Sequence, residues 1–295
     1  MTLRFGLPLT LALVLSAPTL RGAPPEWDPV QSATGWTSYD RDGSSTFYNL
    51  ATRRLITWSA DSGILGGVDL ARIEVVPEKW VLDSLSNAWI VAGATLLRVD
   101  KTGKPGTSFT LPTTVSDLAW DTTSFVLAYR SHDLYVEKRD LKTGAVLWTY
   151  GTRPPREAPV VQNLHHVAIK EDGQVILASG TTFSVVTLDG AKGKLLGTTS
   201  FTHDGADLPP LVLGQQDRGN LVWWLGTNVA LTTVPAAQVP TLKLEGLLLV
   251  KLDFAKHTVT FLPTGLAPGN ALVGMLEKTA VFRTPTSGLK YVAVD

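Results

Sequence analysis

Short apolar runs and polar turns alternate along most of the chain. The runs "LLRVD", "LYVEKRD", "FSVVTLD" and "LLLVKLD" each end on an aspartate, and a polar turn, often with glycine, then leads into another run rich in Leu, Val, Thr and aromatic residues. This pattern predicts β-hairpins. "NLATRRLITWS" begins in the same way, and the sequence stops at "LKYVAVD". The repeated position is occupied by Asn49, Asp100, Asp140, Asp189, Asp253 and Asp295.

These positions are separated by 51, 40, 49, 64 and 42 residues, about the length of a four-stranded propeller blade. A second hairpin precedes most of them, as in "VAIKEDGQVILASG", so one unit contains four short strands. "QVILAS" and "FSVVTL" are almost continuously apolar, which is typical of strands covered on both faces. The chain is therefore predicted to be an all-β, six-bladed β-propeller. Five or seven blades and two β-sandwich domains remain alternatives.

The two ends of the chain predict how the propeller closes. The last unit has no fourth strand after Asp295, whereas residues 27–48 supply additional strand-like sequence. We expect an N-terminal strand to complete the final blade, because this would hide two exposed sheet edges. Residues 27–295 would then form a single propeller domain.

One repeat also indicates a family. "LKTGAVLW", residues 141–148, resembles the repeat of pyrroloquinoline-quinone-type (quinoprotein-like) β-propellers, and residues 50–58 match it in part. The family includes quinoprotein dehydrogenases as well as cofactor-free binding and scaffold proteins. Its enzymes usually carry a vicinal cysteine pair and an extended acidic calcium site, and this sequence has neither. The resemblance thus implies the propeller fold without a quinone cofactor. It leaves a divalent metal as an open alternative.

Composition and the N-terminal sequence restrict the partners and the compartment. The 26 basic and 26 acidic residues balance, with no long run of either sign, which argues against nucleic acid as a partner. Residues 1–23 resemble a secretory signal peptide, with an apolar stretch interrupted by Pro8 and Pro18. Cleavage would leave no stable transmembrane span. The predicted location is periplasmic or secreted, and the 295 residues contain no cysteine.

The candidate binding residues follow from the order of strands in a blade. If strands a to d run from the centre outward, the b–c and d–a connections share one face, and the a–b and c–d turns share the other. Polar candidates in the first group of connections are His132, Asp133, Arg153, Arg156, His203, Asp204 and Asp207. The alternative is that these residues belong to ordinary solvated loops. His166 is expected on an inner strand as a hydrogen-bonded core residue.

Three further segments have competing interpretations. Residues 232–246 form an insertion after a b strand and are the best single candidate for a specific contact. Trp58 and Trp148 occupy the same position of their repeats, which favours packing between blades over a sugar-stacking platform. "YDRDGSS", residues 39–45, imitates part of a calcium loop, but a hairpin turn at "DG" explains it as well.

Three functions are compatible with these features. The first is a non-catalytic, extracytoplasmic binding or scaffolding module that presents one loop-rich face to a protein or carbohydrate partner. The alternative is a hydrolase or lactonase with a divalent metal in the central channel. A third, weaker hypothesis is a degenerate quinoprotein that binds a small ligand. Three or more Asp, Glu, Asn or His side chains converging on the channel would favour the enzyme.

Overall fold

The computed structural model describes residues 36–37, 44–59, 62–155, 165–170, 172–179, 184–204, 206–207, 223–224, 229–276, 278–284 and 288–294. Within these ranges the strands form six sheets, which are the blades of a β-propeller. Neighbouring strands are antiparallel except for one short parallel pair. The prediction of a six-bladed all-β propeller, rather than two sandwiches, is confirmed.

The first three blades have four strands each, in chain order from the first to the fourth. Blade one contains β1 (Trp36–Thr37), β2 (Ser44–Asn49), β3 (Arg54–Ser59) and β4 (Gly63–Asp69). Blade two contains β5 (Lys79–Leu82), β6 (Ala88–Ala92), β7 (Thr95–Val99) and β8 (Pro105–Thr110). Blade three contains β9 (Val115–Trp120), β10 (Ser124–Tyr129), β11 (Tyr135–Asp140) and β12 (Val146–Gly151).

Blade four has the same order of four strands, whereas blades five and six differ at their edges. Blade four contains β13 (His165–Ile169), β14 (Val175–Ser179), β15 (Ser184–Leu188) and β16 (Leu195–Ser200). A hairpin of β17 (Thr202–His203) and β18 (Ala206–Asp207) follows. Blade five contains β19 (Trp223–Trp224), β20 (Val229–Pro235), β21 (Leu247–Asp253) and β22 (Thr258–Leu266), and the hairpin extends its outer edge. Blade six contains β23 (Ala271–Leu276), β24 (Thr279–Thr284) and β25 (Gly288–Ala293).

Burial distinguishes the inner and outer strands of each blade. First strands of successive blades contact one another, β5 with β9 and β9 with β13, so they lie nearest the axis. Every residue of the second strand β10 is buried, whereas most residues of the fourth strands β12 and β16 are exposed. The core therefore consists of apolar layers between blades, which explains the nearly continuous apolar runs of the middle strands.

The turns between third and fourth strands join neighbouring blades. Trp89 of β6 donates its indole N–H to the carbonyl of Leu141 at 2.6 Å. Gly144, in the same turn of blade three, has φ +73°, and a Cβ built there would lie 2.5 Å from the Trp89 ring. Trp148 repeats the contact one blade further, donating to Gly190 O at 3.0 Å. The predicted role of Trp148 in packing between blades is confirmed.

The alignment of Asn49 with the aspartate turns is wrong. Asp100, Asp140, Asp189 and Asp253 lie between third and fourth strands, but Asn49 lies between β2 and β3, the second and third strands of blade one. Trp58 consequently belongs to a third strand and is not equivalent to Trp148. The physical reason is that Asn49 Oδ1 accepts the backbone N–H of Thr52 at 3.0 Å, so it closes a polar turn as an aspartate would.

Closure by an N-terminal strand stays a prediction. The described part of blade six has three strands, and β1 and β2 both belong to blade one. Residues 1–35 lie outside the described residues, as do the predicted signal peptide and most of "YDRDGSS". Across the described ranges, no helix has both the length and the apolar character needed to cross a membrane.

Candidate functional site

The connections between second and third strands lie on one face of the propeller, here called the b–c face. They include residues 130–134 of blade three and residues 236–246 of blade five. The second connection lies within the predicted insertion, residues 232–246, and its position after a b strand is confirmed, but residues 232–235 belong to β20 itself. It contains two short 3-10 turns, Ala236–Gln238 and Pro240–Leu242.

The insertion is anchored to the apolar layer between blades four and five. Ala236 and Val239 are buried in the apolar cluster between blades four and five, and Leu242 packs against the same cluster. Pro240, Thr241, Lys243 and Glu245 remain exposed. One side of the connection therefore packs against the core, and its other side is polar and faces solvent.

The blade-three connection carries two predicted binding residues. His132 Nδ1 lies 3.0 Å from Asp133 Oδ1, and the two side chains are 89% and 71% exposed. Ser131 beside them is buried and donates its hydroxyl to Asp133 O at 2.5 Å. His165 Nε2 of β13 in turn lies 3.1 Å from Ser131 O, so a residue of blade four holds this loop.

A buried glutamate in the strand after that loop accepts hydrogen bonds from three side chains. Glu137 accepts hydrogen bonds from Tyr129 at 2.7 Å, from Tyr135 at 3.0 Å and from Arg139 Nη2 at 2.6 Å. Burial, and secondarily the charge of Glu137, raises the pKa of Tyr135 to about 12. Arg153 follows β12 closely along the chain, and because Gly151 pairs with Tyr135, Arg153 lies at the same end of blade three as His132 and Asp133. These three predicted residues share one region.

The other predicted residues do not join them. His203 lies in the hairpin that extends the edge of blade five, where its Nδ1 is 3.1 Å from Val259 O and its ring meets Phe261 edge-on. Asp204 is exposed beside it. The connection after β16 turns along the next blade's outer strand, pairing Thr202 N–H with His257 O at 3.1 Å, which separates it from blade three. Arg156 and the side chain of Asp207 lie outside the described residues.

Exposed apolar side chains occur on the b–c face near blade one. Leu50, in the turn between β2 and β3, is 44% exposed, and Val75 and Val76, in the connection from blade one to blade two, are 38% and 50% exposed. Arg53 ties the two segments together: its carbonyl accepts Leu70 N–H at 2.8 Å, and its guanidinium donates to Ile73 O. Leu50, Val75 and Val76 are called the apolar patch below.

A second polar group lies on the inner strands, where sequence reasoning found only His166. Asp117 of β9 accepts Leu118 N–H on Oδ1 at 2.9 Å and Val167 N–H on Oδ2 at 3.0 Å. Lys79 Nζ of β5 is 4.0 Å from Oδ1, and His166 Nδ1 of β13 is 3.6 Å from Oδ2. Lys79, Asp117 and His166, the inner cluster, thus come from three successive blades.

The inner cluster is buried and short of hydrogen bonds. The Asp117 and His166 side chains are 3% and 8% exposed, and neither ring nitrogen of His166 has a hydrogen-bond partner. The expectation of a hydrogen-bonded His166 is therefore wrong, although its place on an inner strand is confirmed. Lys79 and Asp117 occupy the same strand of consecutive repeats, which is the sequence signal that could have found them. Among the described residues, no group of three His, Asp or Glu could hold a metal.

Comparison with known proteins gives structures alone. No family model matches the chain, and no curated protein matches it. Virginiamycin B lyase from Staphylococcus aureus superposes with a TM-score of 0.55 at 10% identity, covering 88% of this chain and 80% of that one. A streptogramin B lyase gives 0.51 at 11% identity, with coverages of 91% and 85%.

A WD40 domain matches to a similar degree. The Pan2 WD40 domain of Neurospora crassa gives a TM-score of 0.52 at 9% identity, covering 88% of this chain and 75% of that one. Identities this low carry the fold and not the activity. They do not confirm membership of the pyrroloquinoline-quinone-type repeat family. What the comparisons establish is that this chain has the β-propeller fold.

Proposed function

We propose that this protein is an extracytoplasmic, non-catalytic β-propeller that binds a protein partner on its b–c face. The observation that carries the proposal is the apolar patch. Three aliphatic side chains lie on two connections that hydrogen bonds hold together, with exposed Arg72 and Glu74 beside them. Protein interfaces commonly combine an apolar centre with a polar rim.

The choice of a protein over a carbohydrate rests on the chemistry of the patch. Aliphatic side chains gain free energy when a partner removes them from water, whereas sugars are usually bound by aromatic platforms and polar groups.

The extracytoplasmic location rests on the N-terminal sequence. Residues 1–23 have the composition of a signal peptide, and we expect the mature chain to begin between Pro18 and Pro24. N-terminal sequencing of the protein purified from its native cells tests this. A mature chain that still starts at Met1 would overturn the location.

The binding test compares matched variants. Wild-type protein, the triple variant L50S/V75S/V76S and the control L85S are used to capture proteins from the extracytoplasmic fraction of the native cells. Leu85 is 71% exposed in the turn between β5 and β6, on the opposite face. Each captured protein is then purified and its affinity measured by calorimetry.

We expect the triple variant to bind at least about tenfold more weakly, because a few apolar contacts at the centre of an interface carry most of its energy. L85S should bind as the wild type does, and circular dichroism should show all three folded. Equal affinity of the triple variant would overturn the proposal. Stoichiometric divalent metal in the purified protein, together with hydrolytic activity, would favour the metal hydrolase or lactonase instead.

A further inference from the structure

The outer strands of blades three and four expose aliphatic side chains where each strand begins. Val146 and Leu147 of β12 and Leu195 and Leu196 of β16 are between 45% and 55% exposed. The two pairs occupy the same place in their blades. A register shift leaves Leu147 without a residue opposite it on β11, and the corresponding shift leaves Leu196 without one on β15. The feature therefore repeats in adjacent blades.

The joint between the two blades brings these pairs together. Trp148 follows Leu147 in β12 and donates its indole N–H at 3.0 Å to Gly190 O, in the turn that leads into β16. A Cβ built at Gly193, in the same turn, would lie 2.7 Å from the Trp148 ring. The turn before β16 is thus packed against β12. The four aliphatic side chains on either side of this contact are called the outer surface below.

Both strands present an edge that a further strand could pair with. Among the described residues, β12 and β16 are the outermost strands of their sheets. Proteins usually protect such edges with charged residues, proline or a covering segment. β8 begins with Pro105, and β22 contains Pro263 and pairs at Thr258 with the hairpin strand β17. β12 and β16 contain neither a charged residue nor a proline.

Exposed lysines border the outer surface at the turns. Lys142 precedes β12, and Lys192 and Lys194 precede β16. The carboxylates of Asp140 and Asp189 in these turns are half-buried, and each accepts a backbone N–H of its own turn at 2.7 Å. A partner that approaches the outer surface therefore meets the three ammonium groups first. Its own charge should be negative.

We propose that the outer surface binds an extended, acidic segment of a protein partner, and that this segment pairs with the edge of β16. Its main chain bonds to the outward N–H and C=O groups of β16, and its aliphatic side chains cover Leu195 and Leu196. Its carboxylates lie beside Lys192 and Lys194. Addition of a strand to an open sheet edge is a recurring way to bind peptides. This site is separate from the apolar patch and does not depend on the proposed function.

A protein segment fits this surface better than a membrane with anionic lipids does. Both would bring negative charge to the lysines and cover the aliphatic side chains. Only a peptide main chain also bonds to the N–H and C=O groups along a strand edge, whereas a lipid phase would leave those groups unsatisfied. The open edge of β16 therefore decides between the two.

The test uses a fluorescein-labelled peptide in which Val and Glu alternate over six residues, the length of β16. Its binding to the intact protein is measured by fluorescence anisotropy. We expect saturable binding that weakens as salt is added, because exposed charges are screened. The amides of β16 that do not pair with β15 should exchange more slowly with solvent in the complex. A peptide with Lys in place of Glu should not bind, nor should one with Pro in place of Val, which cannot donate to the strand.

Variants of the protein locate the site. K192E/K194E should bind the Val-Glu peptide at least about tenfold more weakly, because like charges then face each other. L195S/L196S should also weaken binding. The matched control K101E/K104E changes two exposed lysines in the corresponding turn of blade two and should keep the wild-type affinity. L50S/V75S/V76S should keep it as well, which separates this site from the apolar patch. Circular dichroism shows whether each variant is folded.

Several results would overturn the proposal. They are absence of binding by the Val-Glu peptide, equal affinity of wild type and K192E/K194E, and unchanged exchange of the β16 amides at saturation. Vesicles of phosphatidylglycerol are the second probe. Cosedimentation with these vesicles that is lost in K192E/K194E, without binding of the peptide, would assign the outer surface to lipid instead.

Discussion

Buried ionisable side chains in this propeller differ in how far hydrogen bonds compensate the cost of burying their charge. Glu137 is buried with Tyr129, Tyr135 and Arg139 as hydrogen-bond donors, so its charge is compensated within one blade. His165 is buried at the start of β13 with one ring nitrogen bonded to Ser131 O and the other, Nδ1, without a partner. Such a histidine is held neutral, because burial penalises its charged form.

His165 therefore predicts a pH dependence of stability. Its pKa in the folded protein is lowered, mainly by burial, so below about pH 6.5 the unfolded chain binds more protons than the folded one. The free energy of unfolding should fall as pH falls from 6.5 toward 5. H165Q should lose less stability over this interval. Urea unfolding at several pH values, in buffers without carboxylates, measures the difference.

The exposed residue His132 supplies the control for that measurement. H132Q, at a histidine whose side chain is 89% exposed, is measured alongside as the comparison variant. The lowered pKa values of Asp100, Asp121 and Asp140 contribute stability that is lost only at more acidic pH, below about 4. An H165Q slope identical to the wild type would contradict the prediction.

At the scale of strands and turns, local signals predicted most of the blade. The turns after Asp100, Asp140, Asp189 and Asp253 are closed by the aspartates themselves, as when Asp140 Oδ1 accepts Thr143 N–H at 2.7 Å. A pattern confined to a few residues can be recognised in sequence. Asn49 shows the limit, because a side chain that closes a turn does not specify which hairpin of the blade it belongs to.

Contacts between distant segments could not be predicted in the same way. The connection after β16 has a loop-like sequence, yet Thr202 pairs with the first residue of β22 and places His203 on the edge of blade five. The inner cluster unites residues 79, 117 and 166 because the first strands of successive blades meet around the axis. Both arrangements depend on where neighbouring blades lie, which the spacing of turns does not give.

The joint between blades two and three can be tested at Gly144. G144A should unfold at lower urea than G173A, although both glycines have positive φ, +73° and +82°. A Cβ at Gly144 would meet Trp89 and Phe109 at 2.5 and 2.7 Å, whereas a Cβ at Gly173 would have nothing within 4 Å. Both variants carry the backbone strain, about 1–2 kcal/mol. Overpacking adds about 1–3 kcal/mol in G144A alone.

The difference between the urea midpoints of G144A and G173A separates the effect of the side-chain contact from that of the backbone strain. Equal midpoints for G144A and G173A would show that the turn at Gly144 does not pack closely against the Trp89 ring. A second pair extends the test, since Gly193 has φ +66° and a Cβ there would lie 2.7 Å from Trp148. G193A should behave like G144A, because it disturbs the corresponding joint between blades three and four.

For the whole molecule, stability depends on continuity around the ring. Apolar clusters join blade one to blade two through Tyr48 and Trp80, and join blade six to blade one through Val281 and Phe47. The described sheets therefore meet across the two ends of the chain. A fourth strand on blade six would protect the edge of β25, whose residues Lys290 and Tyr291 are exposed.

The predicted closure by an N-terminal strand can be tested by truncation. Hydrogen exchange of the β25 amides is compared between a chain that begins at Ala23 and one that begins at Trp36. If residues between these positions complete blade six, the amides of β25 that do not pair with β24 should be protected in the longer chain and exchange rapidly in the shorter one. The amides of the central strand β10 should stay protected in both, because its six residues are buried.

Equal exchange of β25 in the two chains would contradict the prediction. The sixth blade would then be held by its packing against blade one, through Val281, without a strand from the N-terminus.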